Sequence, residues 1–192
     1  LGEPLRARRY CLGESWRANS RYSHRDELMP KVLDKIGQMD DNALARLLGN
    51  AQALLEKSAN NKDAVLVINA VQDEWACRLH LFRKGDYKAT SPEHGVLSVV
   101  GYKVGNDGAP EKQRRLKLDY IMSGTLPPVA SPAYMAEWGE PNTRQRYRKL
   151  HRVIRVLASS GKKFPNMELA VQHWEEDLVY IEQNWSNIDA RS

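Results

Sequence analysis

Apolar residues recur along this chain at three- and four-residue spacings, the pattern of helices that bury one face. The clearest run is Leu44, Leu47, Leu48, Ala51, Leu54 and Leu55, preceded by Asp40, whose carboxylate suits an N-cap. A second stripe, Ala64, Val67, Ile68, Val71, Trp75 and Leu79, occupies the stretch from Asp63 to about Phe82. The turn chemistry of Asn60-Asn61 between the two predicts an antiparallel helical hairpin. Ahead of them Pro30 opens a brief helix with Val32, Leu33 and Ile36 inward, which Gly37 ends.

The second half carries the same signature in shorter pieces. Val96, Leu97, Val99 and Val100, before Gly101, fit a short helix or a buried strand by period alone, and helix is the reading adopted. Pro110 opens a helix with Leu116, Leu118, Tyr120, Ile121 and Met122 that closes at Gly124. Ala133 to Trp138 allows a turn or two before Gly139. Asn142 or Thr143 then caps a long helix with Tyr147, Leu150, Val153, Ile154 and Leu157 inward, stopped by Gly161. From about Asn166 a last helix carries Val171, Trp174, Leu178, Ile181 and Trp185. The fold expected is all-α: an Arg-rich flexible arm over residues 1–28, a helical hairpin over 29–84, and a basic multi-helix module over 91–188 whose last helix is acidic.

Composition changes this picture little. Hydrophobic residues at 42% and charged residues at 28% suit a globular chain of 192 residues. No stretch approaches the roughly 18 apolar residues of a bilayer span, and no signal-like apolar segment is present, so neither a membrane partner nor an exported protein is expected. Cys11 and Cys77 stand far apart with no metal-like spacing, which predicts reduced thiols and a cytoplasmic setting. The histidines His24, His80, His94, His151 and His173 are scattered, with no helical metal pair. Neither a metal nor another cofactor is expected. The turn Gly105-Asn106-Asp107-Gly108 lacks the Gly-Lys-Ser/Thr of a phosphate loop, which excludes nucleotide binding of that kind.

Charge distribution is more informative than the net +5. Residues 91 to 166 hold 13 basic against 6 acidic side chains, whereas residues 167 to 192 hold 1 against 6. The excess concentrates on the helix after Thr143, where Arg144, Arg148, Arg152 and Arg155 recur at helical spacing beside Arg146, Lys149 and His151. Like charges four residues apart repel by a few tenths of a kcal/mol, a standing cost that a bound anion relieves. Together with Lys112, Arg114 and Arg115, and with Lys162-Lys163 nearby, the stripe predicts contact with a nucleic-acid backbone, DNA favoured over RNA. A helix-turn-helix between Ser91 and Met122 is the weaker description, because the connection from Gly101 to Gly108 is longer than that motif uses.

Four other readings compete. The arginine stripe has a possible intramolecular partner in Glu168, Glu175, Glu176, Asp177 and Glu182 of the last helix, although seven basic side chains exceed what one facing helix can reach. The face Val171, Trp174, Leu178, Ile181 and Trp185 alternatively serves self-association in an interaction module. Trp138, sharing a short helix with Tyr134, is either a core wedge or a stacking platform. Arg146 and His151 are separated by four residues, a spacing that resembles the R-x4-6-H signature of the HEPN ribonucleases. That resemblance covers six residues and implies a helical, metal-independent ribonuclease, usually dimeric, in which arginine and histidine support RNA cleavage. Tyr147 follows the arginine where that family tends to place Asn, Asp or His. Gly101-Tyr102-Lys103-Val104-Gly105 and Glu137-Trp138-Gly139-Glu140-Pro141 are together similar to a combination met in uncharacterised bacterial proteins, which implies a bacterial source and no particular activity.

Overall fold

A computed structural model describes residues 32–188, and every regular element among them is helical. The arm expected over residues 1–28 and the start of the helix at Pro30 lie outside the described residues. The chain divides into two units, one ending at Thr90 and the other beginning at Ser91.

In the first unit a 3₁₀ turn over Ile36–Gln38 precedes α1 (Asp41–Lys57) and α2 (Lys62–Lys84). Both helices begin on side-chain caps. Asp40 accepts from the Ala43 amide at 2.6 Å, and Asn61 accepts from the Ala64 amide at 3.0 Å. Gly85, at φ 84°, terminates α2 in the left-handed conformation that glycine adopts without a Cβ penalty. Leu44, Leu48 and Ala51 of α1 pack with Ala64, Val67, Val71 and Trp75 of α2. Leu54 is 47% exposed, because it lies about 90° around α1 from the centre of the buried stripe. One ion pair is sealed into this unit: Arg78 donates to Asp41 at 2.9 Å and to the Met39 carbonyl at 2.7 Å. Tyr87 donates to the other Asp41 oxygen at 2.9 Å. Cys77 is half-buried on α2 and disulfide-bonded, which corrects the reduced thiol expected there; Cys11 lies outside the described residues.

The second unit contains α3 (Val96–Val100), α4 (Glu111–Ser123), α5 (Pro132–Ala136), α6 (Arg144–Gly161) and α7 (Glu168–Trp185). The short apolar run is a helix, not a strand. Four of the five α3 residues are buried, and Gly101 at φ 83° ends it. Helices α6 and α7 form the main packed pair, and α4 lies against both. Leu118, Ile121 and Met122 of α4 meet Leu150 and Ile154 of α6 and Trp174 and Ile181 of α7 in the core. Trp138 is fully buried, so it belongs to the core and offers no stacking surface. The last helix starts two residues later than Asn166, because Pro165–Met167 forms a 3₁₀ turn first.

Gly161 is the closing residue of α6 and lies against α7. A Cβ there would lie 2.9 Å from both the Trp174 ring and a Val171 methyl, with no flexible side-chain end to yield. Gly161→Val is therefore expected to destabilise the protein by about 1–3 kcal/mol. Chemical unfolding monitored by circular dichroism measures this, and an unchanged midpoint would contradict the packing described.

Candidate nucleic-acid interface

The long helix α6 is fixed at its start by three polar devices. Thr143 Oγ1 accepts from the Arg146 amide at 3.2 Å. Gln145 Nε2 donates to the Ala136 carbonyl at 2.9 Å and so joins the end of α5 to the first turn of α6. Gly139 lies between them at φ 65°, a left-handed backbone conformation that glycine adopts without a Cβ penalty.

The third device is Arg146 itself, which is 4% exposed. Its guanidinium donates to four backbone carbonyls: Ile121 at 3.1 Å, Gly124 at 2.8 Å, Trp138 at 3.3 Å and Gly139 at 2.6 Å. Two of these acceptors belong to the end of α4, where helical carbonyls lack intrahelical donors. Burial pushes the Arg146 guanidinium down to about 10, still a cation at neutral pH. His151 lies five positions on, about 140° around the helix, and its Nε2 pairs with Glu182 at 2.8 Å. Arg146 and His151 thus point to different surroundings, and the arginine has spent its donors on carbonyls. The geometry a ribonuclease pair needs, two groups converging on one phosphate, is not formed.

Arg114 is also inside, 2% exposed. Its Nε donates to Asp177 at 2.9 Å and its Nη2 to Glu176 at 3.1 Å, while Tyr102 donates to Asp177 at 2.6 Å. Burial by itself would lower the Arg114 pKa, but the hydrogen bond and charge of Asp177 outweigh it and the net shift is upward. Burial and the adjacent carboxylate push the Tyr102 hydroxyl well above the usual phenol range. Placing Arg114 among phosphate contacts is therefore corrected: its fork is committed to a buried carboxylate. Arg115 lies over the Tyr180 ring at 4.7 Å and pairs with Glu111. With Lys112 it lines a shallow cleft of about 380 Å³ whose walls come from α4 and α7 and include no residue of α6. The structure does not bring these three basic residues into the arginine stripe. Helix α3, at five mostly buried residues, is also too short and too enclosed to form a standard helix-turn-helix with α4.

The stripe is different. Arg144, Arg148, Arg152 and Arg155 are all exposed, within about 80° of arc and over about 16 Å of axial length at 1.5 Å per residue. Exposed Ser159 continues the same face. The acidic helix uses its carboxylates elsewhere: Glu175 on Lys162 at 2.6 Å, Glu176 and Asp177 on Arg114, Glu182 on His151. Glu137 takes Lys149 at 2.5 Å, and that hydrogen bond, with the lysine charge, holds the Glu137 carboxyl below its usual range. Among the described residues, no ion pair engages Arg148, Arg152 or Arg155. Val171, Trp174 and Ile181 are buried within their own unit, so the face expected to serve self-association is largely consumed by α6.

Among the described residues there is no cluster of histidine, cysteine, aspartate and glutamate fit to hold a metal, and no helix long and apolar enough to cross a membrane. Comparison of the chain with protein-family models, curated proteins and solved structures gives no match.

The assignment of Arg114 to the core carries a stability test. Arg114→Ala should cost about 3–5 kcal/mol by stranding Asp177, whereas the paired replacement Arg114→Met with Asp177→Leu should recover most of that loss. Urea denaturation of the two proteins decides the matter; equal stability of Arg114→Ala and wild type would mean that the arginine is not structural.

Proposed function

We propose that the protein binds nucleic acid through the phosphate backbone, with Arg144, Arg148, Arg152 and Arg155 of α6 as the contacting side chains. The observation that carries this reading is the division of the basic residues. Arg114, Arg146, Lys149, His151 and Lys162 are matched to carbonyls or carboxylates, while among the described residues no ion pair engages Arg148, Arg152 or Arg155 of the exposed row. Guanidinium forks suit phosphate oxygens geometrically, and their weak hydration favours such contacts.

A row about 16 Å long covers roughly five base steps at about 3.4 Å each, enough for several phosphates of one strand. Contacts of this kind position a protein on its ligand without reading base sequence. DNA is the favoured ligand, in a regulatory or accessory capacity, and the role is one of binding rather than catalysis. No pair of side chains on this face supplies an acid and a base.

Four phosphate contacts predict an affinity for duplex DNA that falls roughly 100-fold between about 50 and about 200 mM salt. Fluorescence anisotropy of a labelled duplex at both salt concentrations measures the slope. In the Arg148→Glu/Arg152→Glu variant binding should weaken by at least about 100-fold while the thermal midpoint stays close to wild type, because both positions are exposed. Affinity independent of salt, or a variant that binds as wild type does, would overturn the reading.

A further inference from the structure

Phe164 sits in the turn between α6 and α7 with 54% of its surface exposed, immediately after Lys162 and Lys163, which are exposed as well. The chain has two phenylalanines, and the other, Phe82, is buried. Nothing in the turn requires a ring. Its geometry is held by the backbone, with the Phe164 amide donating to the Gly161 carbonyl at 2.9 Å and the Met167 amide to the Phe164 carbonyl at 3.0 Å. Pro165 follows, and its ring biases Phe164 toward the extended conformation it adopts, φ -122° and ψ 113°.

The placement relative to the stripe is specific. Lys162 keeps right-handed helical dihedrals, so it extends α6 by a further step. At about 100° per residue it aligns with Arg144 and Arg155, and Lys163 falls about 20° beyond Arg152. Lys162 is tied to Glu175 at 2.6 Å, which leaves Lys163 as the added positive group at this end. Val156, 55% exposed, flanks the row about 40° from Arg152. The exposed arginine row is thus followed, one turn beyond the end of α6, by an exposed aromatic ring. Single-strand binders combine these two elements: a charged track for the phosphates and a ring for the unpaired bases.

We infer that the ligand of this face is a single-stranded segment of nucleic acid, with its phosphates along Arg144 to Arg155 and an unpaired base stacked on Phe164. This rests on the phosphate-binding reading and adds a ligand class to it. In a duplex the base faces are stacked on one another, and Phe164 reaches none of them without unstacking a step. In a single strand the bases are accessible, so the ring gains a contact that duplex DNA cannot offer.

The test uses the full chain with three labelled probes: an oligodeoxythymidylate, the matching oligouridylate, and a duplex of equal length. Wild type should prefer the single strands, and Phe164→Ala should lower single-strand affinity by about 5- to 100-fold while changing duplex affinity less than about twofold. Phe164→Trp should retain single-strand binding, and Phe164→Leu, apolar but without a π face, should not. An oligonucleotide containing 2-aminopurine supplies a direct signature, since stacking on the ring changes its fluorescence in wild type and not in Phe164→Ala. Single-strand affinity unaffected by Phe164→Ala overturns the inference while leaving backbone binding intact. Absence of binding to all three probes overturns both readings, as does binding only to anionic phospholipid vesicles that is lost in Phe164→Ala.

Discussion

The roll of α6 about its own axis depends on one guanidinium. Arg146 is buried among four carbonyls contributed by α4 and by the segment entering α6, and no other side chain at that position could satisfy acceptors at so many angles. Because residues two and six positions away project to the far side of a helix, fixing Arg146 inward places Arg144, Arg148 and Arg152 outward. The same side-chain chemistry therefore serves opposite ends on one helix. The inner arginine builds the unit, and the outer ones face solvent.

Charge pairing across the α6–α7 seam follows from this orientation. The acidic helix presents Asp177 inward, where it is fully buried and held by Arg114 and Tyr102, and its flanking carboxylates take Lys162, Glu176's partner Arg114, and His151. Complementary charge thus links α7 to His151 of α6 and to Lys162 just beyond it, while no ion pair among the described residues engages Arg148, Arg152 or Arg155. A surface pair contributes little to stability, so the contribution of α7 to this unit lies mainly in apolar packing and in the buried Asp177–Arg114 pair.

Local chemistry made much of the fold legible before any coordinates. Asp40 and Thr143 are helix caps in the structure, and Gly101 is a left-handed terminator, because these roles depend on a few adjacent atoms. The burial of Arg114 and Arg146 was not read, since charged residues on an amphipathic helix default to solvent. A signal was nevertheless present. Arg146 stands in phase with Leu150, Ile154 and Ala158, and Asp177 with Trp174 and Ile181, so each occupies a core position and requires a buried partner. Which partner each finds is a matter of tertiary placement, which periodicity does not contain. Phe164 escaped notice for a related reason: a single aromatic in a turn has no period, and its exposure appears only once the hairpin closes.

The arrangement of charge on α6 also runs against the helix's own interest. Its first turn holds Arg144 and Arg146 and no acidic residue, and its last turn holds no basic one, the reverse of what the helix dipole favours. Each misplaced charge costs about 0.3–1 kcal/mol at an exposed terminus, and the i, i+4 repulsions along the row add a few tenths more apiece. Against a typical net stability of about 5–15 kcal/mol these costs are tolerable but not negligible. They share a single remedy. An anion lying along the row near the start of α6 would meet the positive end of the dipole and the exposed guanidinium groups together, whereas the buried Arg146 is already met by backbone carbonyls. A row arranged merely for solubility would have no need of that coincidence, since interspersed charges of both signs serve solubility at lower cost.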